Sequence, residues 1–346
     1  MQALRLTTYH HEAELVEIDK PVAGPGEVVI KVGASGACRS DLYMMYGTSD
    51  RNPFGGPFVL GHETAGWVHE VGAGVTSVEV GQAVAVYPAW GCGTCQRCRA
   101  GIENHCEVIR GRGNGQGHDG GMSEYMLVPA ERHLVPLPEG LTPAQAAPMT
   151  DAALAPYRAV KRSLAKLDAT ATAVVIGAGG LGHVAVQLLK LLSAARVIAI
   201  DVKQEALELA RSCGADALVE SGEMAAERVR ELTAGRGAEV ILDFVGSNET
   251  LATAARAVRP LGDITIVGVA GVTLDYRFVG VAYEASVQSS YSGTRAELVE
   301  VLDLAARGLI RVETTLYPLA EALTAYGDLS EGRLVGRAVI VPGSAS

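Results

Sequence analysis

The spacing of apolar and polar positions changes character about halfway along this chain. Up to about residue 150, runs such as "EVVIKVGASG" and "GQAVAVY" alternate or stay apolar between glycine and proline, which predicts strands joined by turns. The segment 111–121, "GRGNGQGHDGG", is too rich in glycine for a regular element and reads as a loop. From Ala171 onward short strand-like runs alternate with helix-like ones. "TAVVI", "RVIAI", "ALV", "AEVILDF" and "DITIVGV" are interleaved with "GLGHVAVQLLKLL", "QEALELARS", "MAAERVRELT" and "TLATAARAV". β-Branched runs separated by helices predict βαβ units on a parallel sheet, reaching roughly Tyr291. Beyond it lie one helical run, Arg295 to Ala306, and a final strand, "GRAVIV".

A chain of 346 residues exceeds what one core fills, so two domains are expected. The 48% hydrophobic and 20% charged fractions fit such cores and an ordinary surface. The net charge of -10, from 29 basic and 39 acidic residues, repels phosphate backbones and anionic lipid. Nucleic acid and membranes are therefore excluded as expected partners. The opening Met1-Gln2-Ala3-Leu4-Arg5 lacks a secretory layout. The apolar stretch Ala171 to Ile200 is broken by His183, Gln187, Lys190 and Arg196, so no membrane span is read there. A cytoplasmic location is expected.

The first chemical motif follows the strand "TAVVI". Gly177-Ala178-Gly179-Gly180-Leu181-Gly182 stands between that strand and an apolar helix, the context a dinucleotide loop demands. The first glycine permits a tight turn, the second lets backbone approach a pyrophosphate, and the third brings helix and strand together. Asp201 ends the next strand, where a carboxylate meets the adenosine ribose and repels the extra phosphate of NADP. NAD is the expected cofactor.

Four of the six cysteines crowd together as Cys92, Cys95, Cys98 and Cys106, a C-x2-C-x2-C-x7-C spacing. Four thiolates on a short glycine-bearing lobe suit a closed tetrahedral zinc site. A ferredoxin-type cluster would close after three residues with a following proline, whereas here the gap is longer and Glu107 follows. Disulfides are disfavoured by a reducing compartment.

Three dispersed features remain, and none is decisive alone: Cys38 in "GACRSD", His62-Glu63 in "GHETAG", and Asp151 in "APMTDAALAPY". Cys38 has a plain reading as a core residue, Asp151 as a helix N-cap, and His62 with Glu63 as a surface pair. Taken together with Gly66, Gly72, Val75, the four-cysteine lobe and "VVIGAGGLG", they give the chain its resemblance to the zinc-dependent medium-chain alcohol dehydrogenases. The resemblance runs essentially from end to end, and is nearest to bacterial NAD-dependent members acting on secondary alcohols and ketones.

That resemblance implies an α/β architecture. A GroES-like, mostly-β catalytic domain would take residues 1–153 and 295–346, with a doubly wound Rossmann domain at 154–294 and the site in the cleft. It implies two zinc ions per subunit, the catalytic one held by Cys38, His62 and Asp151. Asp151 departs from the cysteine that many members carry. Glu63 would back that site or occasionally ligate, and Asp41 would orient the His62 ring. Arg39 and Arg337 match residues that contact the cofactor pyrophosphate, although Arg337 has an equal plain reading as an exposed strand residue. Val245, Val267, Gly268 and Val269, in the loops after later strands, would also line the cofactor.

By the same resemblance, the alcohol is acidified at the metal and its carbon passes hydride to nicotinamide, with Ser40 passing the proton on to the nicotinamide ribose. Many members complete that relay with a histidine five residues after the first zinc ligand. Tyr43 stands there, so water finishes the relay, or Tyr43 lines the substrate pocket. Phe54, Trp90 and Tyr283 are further aromatic candidates for that pocket, and Ser292 stands where some relatives carry a large aromatic. The expected activity is oxidation of a secondary alcohol, medium to bulky, with reversible ketone or aldehyde reduction. The rivals are a polyol or diol dehydrogenase and a non-catalytic zinc- and dinucleotide-binding protein. A homodimer or homotetramer is expected.

Overall fold

The computed structural model describes residues 1–47, 56–110, 112–271, 273 and 280–343. Two compact units emerge: Met1–Leu154 with Ser292–Ser346, and Ala155–Tyr291.

The first unit is organised around the strand Val28–Ala37, which is buried along most of its length. Its Val and Ile residues are stiff at χ1 and suit a pleated, covered surface. One edge pairs antiparallel with Glu63–Val71. The other takes Tyr125–Val128 and then the C-terminal strand Arg337–Val341. The register sets Gly36 opposite both Glu63 and Val339, so the end of the chain arrives beside the "GHE" motif. One core joins Val28, Ile30, Val68, Val84, Val86 and Trp90. Each such aliphatic side chain contributes about 1.5–3 kcal/mol on burial. Trp90 belongs to this core and stacks on His133 with 5.4 Å between ring centroids, so it is a packing residue, not an open pocket wall. A second core brings Met44 and Met45 together with Tyr326 and Leu329, and so joins the helix Arg39–Tyr46 to the helix Ala322–Ser330.

The second unit is a six-stranded parallel sheet. Its spatial order is Ala217–Glu220, Arg196–Asp201, Thr172–Ile176, Ala238–Asp243, Val258–Ile266 and Ser286–Ser289. That is the doubly wound order, with its switch point between Thr172–Ile176 and Ala238–Asp243. The run "DITIVGV" marks only the second half of its strand, which starts earlier at Val258. Pro260 lacks an N–H and Leu261 has φ +66°, and the pairing shifts register there, so the sequence hides the first half behind a bulge. The glycine-rich stretch after residue 111 carries two paired two-residue strands, Gly113–Asn114 and Gly117–His118. No helix among the described residues is long and apolar enough to cross a membrane.

Candidate metal and dinucleotide sites

Cys38 lies where the strand Val28–Ala37 gives way to the helix Arg39–Tyr46, and serves as that helix's N-cap. His62 immediately precedes the strand Glu63–Val71, and Asp151 follows the short turn Ala147–Thr150. These separate stretches converge. Cys38 Sγ lies 4.0 Å from Asp151 Oδ2, and His62 Nε2 lies 3.7 Å from the same oxygen. Donor atoms of Cys38, His62, Glu63 and Asp151 all lie within 4.8 Å of one another. The next helix begins at Leu154, so Asp151 is not its N-cap, and His62 and Glu63 are buried, not a surface pair.

Hydrogen bonds orient the cluster. His62 donates from Nδ1 to Asp41 Oδ1 at 3.1 Å, which leaves Nε2 facing Asp151. Asp41 Oδ2 accepts the Cys38 N–H at 3.0 Å and the Tyr326 hydroxyl at 2.7 Å. Burial alone would lower the His62 pKa, but the Asp41 carboxylate and the bonds that His62 donates to Asp151 and Cys38 hold it well above its usual value. Asp151 shows the mirror effect: burial raises it, and His62 with Arg337 brings it below the usual carboxylate range. A thiol, an imidazole nitrogen and a carboxylate in a field that favours positive charge fit a zinc ion by donor type and spacing.

Arg337 changes the picture drawn from sequence. It is 3% exposed, so it is not an exposed strand residue. Its guanidinium forks onto both oxygens of Glu63 and lies 3.7 Å from Asp151 Oδ2. Gly36 makes this possible, because a Cβ there would strike the Glu63 carboxylate. Burial still raises the Glu63 pKa despite Arg337. Arg337 thus engages both Glu63 oxygens, although a Glu63 oxygen also lies within the four-residue donor cluster. Ser40 Oγ is 3.4 Å from His62 Nε2, and Tyr43 is 40% exposed on the same helix. Arg39 donates to Leu329 O. Phe54 lies outside the described residues. Ser292 has a left-handed backbone, φ +47°, and a buried hydroxyl, whereas Tyr283 is exposed.

In the cysteine lobe, Cys92 Sγ lies 3.9 Å from Cys98 Sγ, and Cys95 Sγ lies 3.9 Å from Cys106 Sγ. All four thiols are free. A tetrahedron with metal–sulfur arms of about 2.3 Å has edges of about 3.8 Å, so the spacing fits an ion held by four thiolates and not disulfides. Backbone N–H groups of Thr94 and Cys95 point at Cys92 Sγ at 3.4 and 3.3 Å. Hydrogen bonds from Thr94 and Cys95 lower the Cys92 pKa to about 5, while burial pushes Cys98 to about 12. Holding Cys98 as a thiolate therefore needs a cation. Cys95→Ser is expected to lower Tm by about 10 °C and remove one zinc per chain. Calorimetry with metal analysis reads both, and a variant with normal zinc and stability refutes the assignment.

In the second unit Gly177 turns through φ +84° and a Cβ at Gly182 would strike the Gly177 carbonyl, whereas one at Gly179 would meet no atom. Gly180 and Leu181 then lead into the helix Gly182–Leu192. Asp201 ends its strand, accepting from Ala178 N at 2.7 Å and Lys203 N at 3.0 Å. Val245, Val267, Gly268 and Val269 follow the carboxyl ends of their strands, and Val245 and Val269 expose apolar surface. Ligands of open parallel sheets bind at this end of the strands. Asp201→Ser is expected to raise the NADP-to-NAD ratio of kcat/KM at least about tenfold by removing a negative charge. An unchanged ratio in paired assays would count against that role.

The chain matches the model of the alcohol dehydrogenase GroES-like domain over residues 24–139 and that of the zinc-binding dehydrogenase over 180–307. It is 35% identical to the NAD-dependent alcohol dehydrogenase of Sulfurisphaera tokodaii, over 99% of this chain and all of that one. The crystal structure of the alcohol dehydrogenase from Aeropyrum pernix superposes with TM-score 0.93 at 36% identity, over 99% of this chain and 100% of that one. The acetophenone reductase of Geotrichum candidum, solved in complex with NAD, gives TM-score 0.88 at 29% identity, over 100% and 98%. Likeness of this extent, joined to the two model matches, places the chain in the zinc-dependent medium-chain alcohol dehydrogenase family.

Proposed function

We propose that this enzyme oxidises secondary alcohols with NAD, and reduces the matching ketones in reverse, at the Cys38–His62–Asp151 cluster. The observation that carries the reading is the convergence of those three donors, with Glu63 tied to Arg337. Zinc held there would supply Lewis acidity toward an alcohol hydroxyl, and NAD would supply the hydride acceptor. Asp41 accepts from His62 Nδ1, which points Nε2 into the cluster. Ser40 Oγ, beside Nε2, is the group assigned to relay the substrate proton, taking it while giving up its own. Tyr43 is exposed on the helix that carries Ser40, and the proton passes from Ser40 to water without an imidazole.

The Gly177–Gly182 loop, Val245, Val267–Val269 and Arg39 are assigned to NAD, with Asp201 on the ribose; Arg337 is assigned to Glu63. The small side chain of Ser292 and the likeness to a ketone reductase favour a secondary over a primary alcohol. Family resemblance supports a cytoplasmic homodimer or homotetramer.

The test is NAD reduction over primary, secondary, aromatic and polyhydric alcohols, with zinc measured on the same sample. Two zinc ions per chain and fastest turnover of secondary alcohols are expected. Fastest turnover of polyols would move the substrate class, and no turnover with any alcohol would leave only a binding role.

A further inference from the structure

We propose that Tyr326 is a positioning residue for the Cys38–His62–Asp151 metal site, acting by fixing the carboxylate of Asp41. The proposal rests on the reading above that this cluster holds zinc.

Tyr326 stands on the helix Ala322–Ser330, far along the chain from the motifs, and is 2% exposed. Its ring packs in the core with Met44, Met45 and Leu329. A hydroxyl in such a place must find a partner. It donates to Asp41 Oδ2 at 2.7 Å. Asp41 is itself fully buried, so the donors that face its two oxygens set how the carboxylate is held.

Those donors are arranged unequally. Oδ2 accepts both the Tyr326 hydroxyl and the Cys38 N–H, whereas Oδ1 accepts His62 Nδ1. Two bonds from different directions fix one oxygen, and thereby the plane of the carboxylate. The remaining oxygen is then aimed at the imidazole. Without the phenol hydroxyl, Oδ2 keeps the bond to Cys38 N, and the carboxylate can turn about Cβ–Cγ. The His62 ring would follow it, and Nε2 would lose its aim at the cluster. Because Asp41 also ties down the Cys38 backbone, the brace reaches two of the three proposed ligands. Outer partners of this kind orient ligating histidines, and their loss typically weakens metal affinity about 10–100-fold.

The experiment compares wild type with Tyr326→Phe, which keeps the ring and removes only the hydroxyl. Zinc release from the holoenzyme to EDTA is followed for both ions, with Tm measured on the same samples. The cysteine-lobe ion serves as an internal control. In the variant, the ion outside the cysteine lobe is expected to leave about tenfold faster while the cysteine-lobe ion leaves at the wild-type rate, with Tm lowered by only the few degrees that one lost hydrogen bond and weaker zinc binding cost. Cobalt substituted at the faster site should show shifted visible bands in the variant, a signature that core packing alone would not move. Wild-type release from both sites would overturn the proposal. So would equal acceleration at both sites with a lowered Tm, which would make Tyr326 a packing residue only. A wild-type enzyme that binds zinc at the cysteine lobe alone would instead sink the underlying reading of the cluster.

Discussion

Asp151→Ala is expected to cut alcohol oxidation severely, with kcat/KM falling on the order of 10³-fold, while NAD binds with unchanged affinity. Loss of a residue that merely orients a ligand costs about 10–100-fold, so loss of a ligand itself costs more. Asp151 supplies a carboxylate oxygen within 4.0 Å of both Cys38 Sγ and His62 Nε2, and without it those two donors remain. Glu63 is the nearby carboxylate that would have to stand in. It is held through both oxygens by Arg337, and releasing it would leave a buried guanidinium unpaired. The proposed NAD residues lie in other stretches of the chain, which is why nucleotide affinity stays. Asp151→Cys supplies the thiolate that many family members use and should recover zinc binding and much of the activity. Steady-state kinetics, zinc content and fluorescence titration with NAD separate these outcomes. Undiminished turnover in the alanine variant would take Asp151 out of the site.

What could be read from sequence was chemistry carried on short, local spacing. The cysteine lobe and the Gly177–Gly182 loop each fit within a single stretch, and each spacing has a direct geometric meaning. The alternation of strands and helices likewise predicted the parallel sheet, because each run carries its own period. The Cys38, His62 and Asp151 set was different. Each residue has an ordinary reading by itself, and only resemblance joined them before the fold brought them together.

Arg337 and Tyr326 show where local reading stops. Arg337 sits in an apolar strand whose pattern says nothing of a buried partner some 270 residues earlier; its contact follows from the register of a C-terminal strand. Gly36 was the one available hint, since a glycine inside a strand often marks a close approach. Tyr326, in a helix of mixed apolar and polar residues, offers none. Its role depends on a helix pair that no spacing reveals.

Arg337→Ala is expected to lower stability by about 3–5 kcal/mol, the scale for breaking a buried ion pair by removing one partner. The loss should appear without any nucleotide, because the contact that disappears is with Glu63. Glu63 is fully buried, and burial already raises its pKa with the guanidinium in place. Without Arg337 that pKa rises further, so the folded state takes up a proton that the unfolded chain, near pKa 4.3, releases. Stability of the variant therefore falls as pH rises from the unfolded value through the raised folded one, and its deficit is larger at pH 8 than at pH 5. Arg337→Lys should recover only part of the loss, since an ammonium cannot fork onto two oxygens. Adding Glu63→Gln to Arg337→Ala should cost less than the sum of the two single changes, because the charge left unpaired is then gone. Denaturant unfolding at the two pH values reads all three effects. Should Arg337→Ala keep wild-type stability while its affinity for NAD collapses, the guanidinium would belong to the cofactor pyrophosphate and not to Glu63.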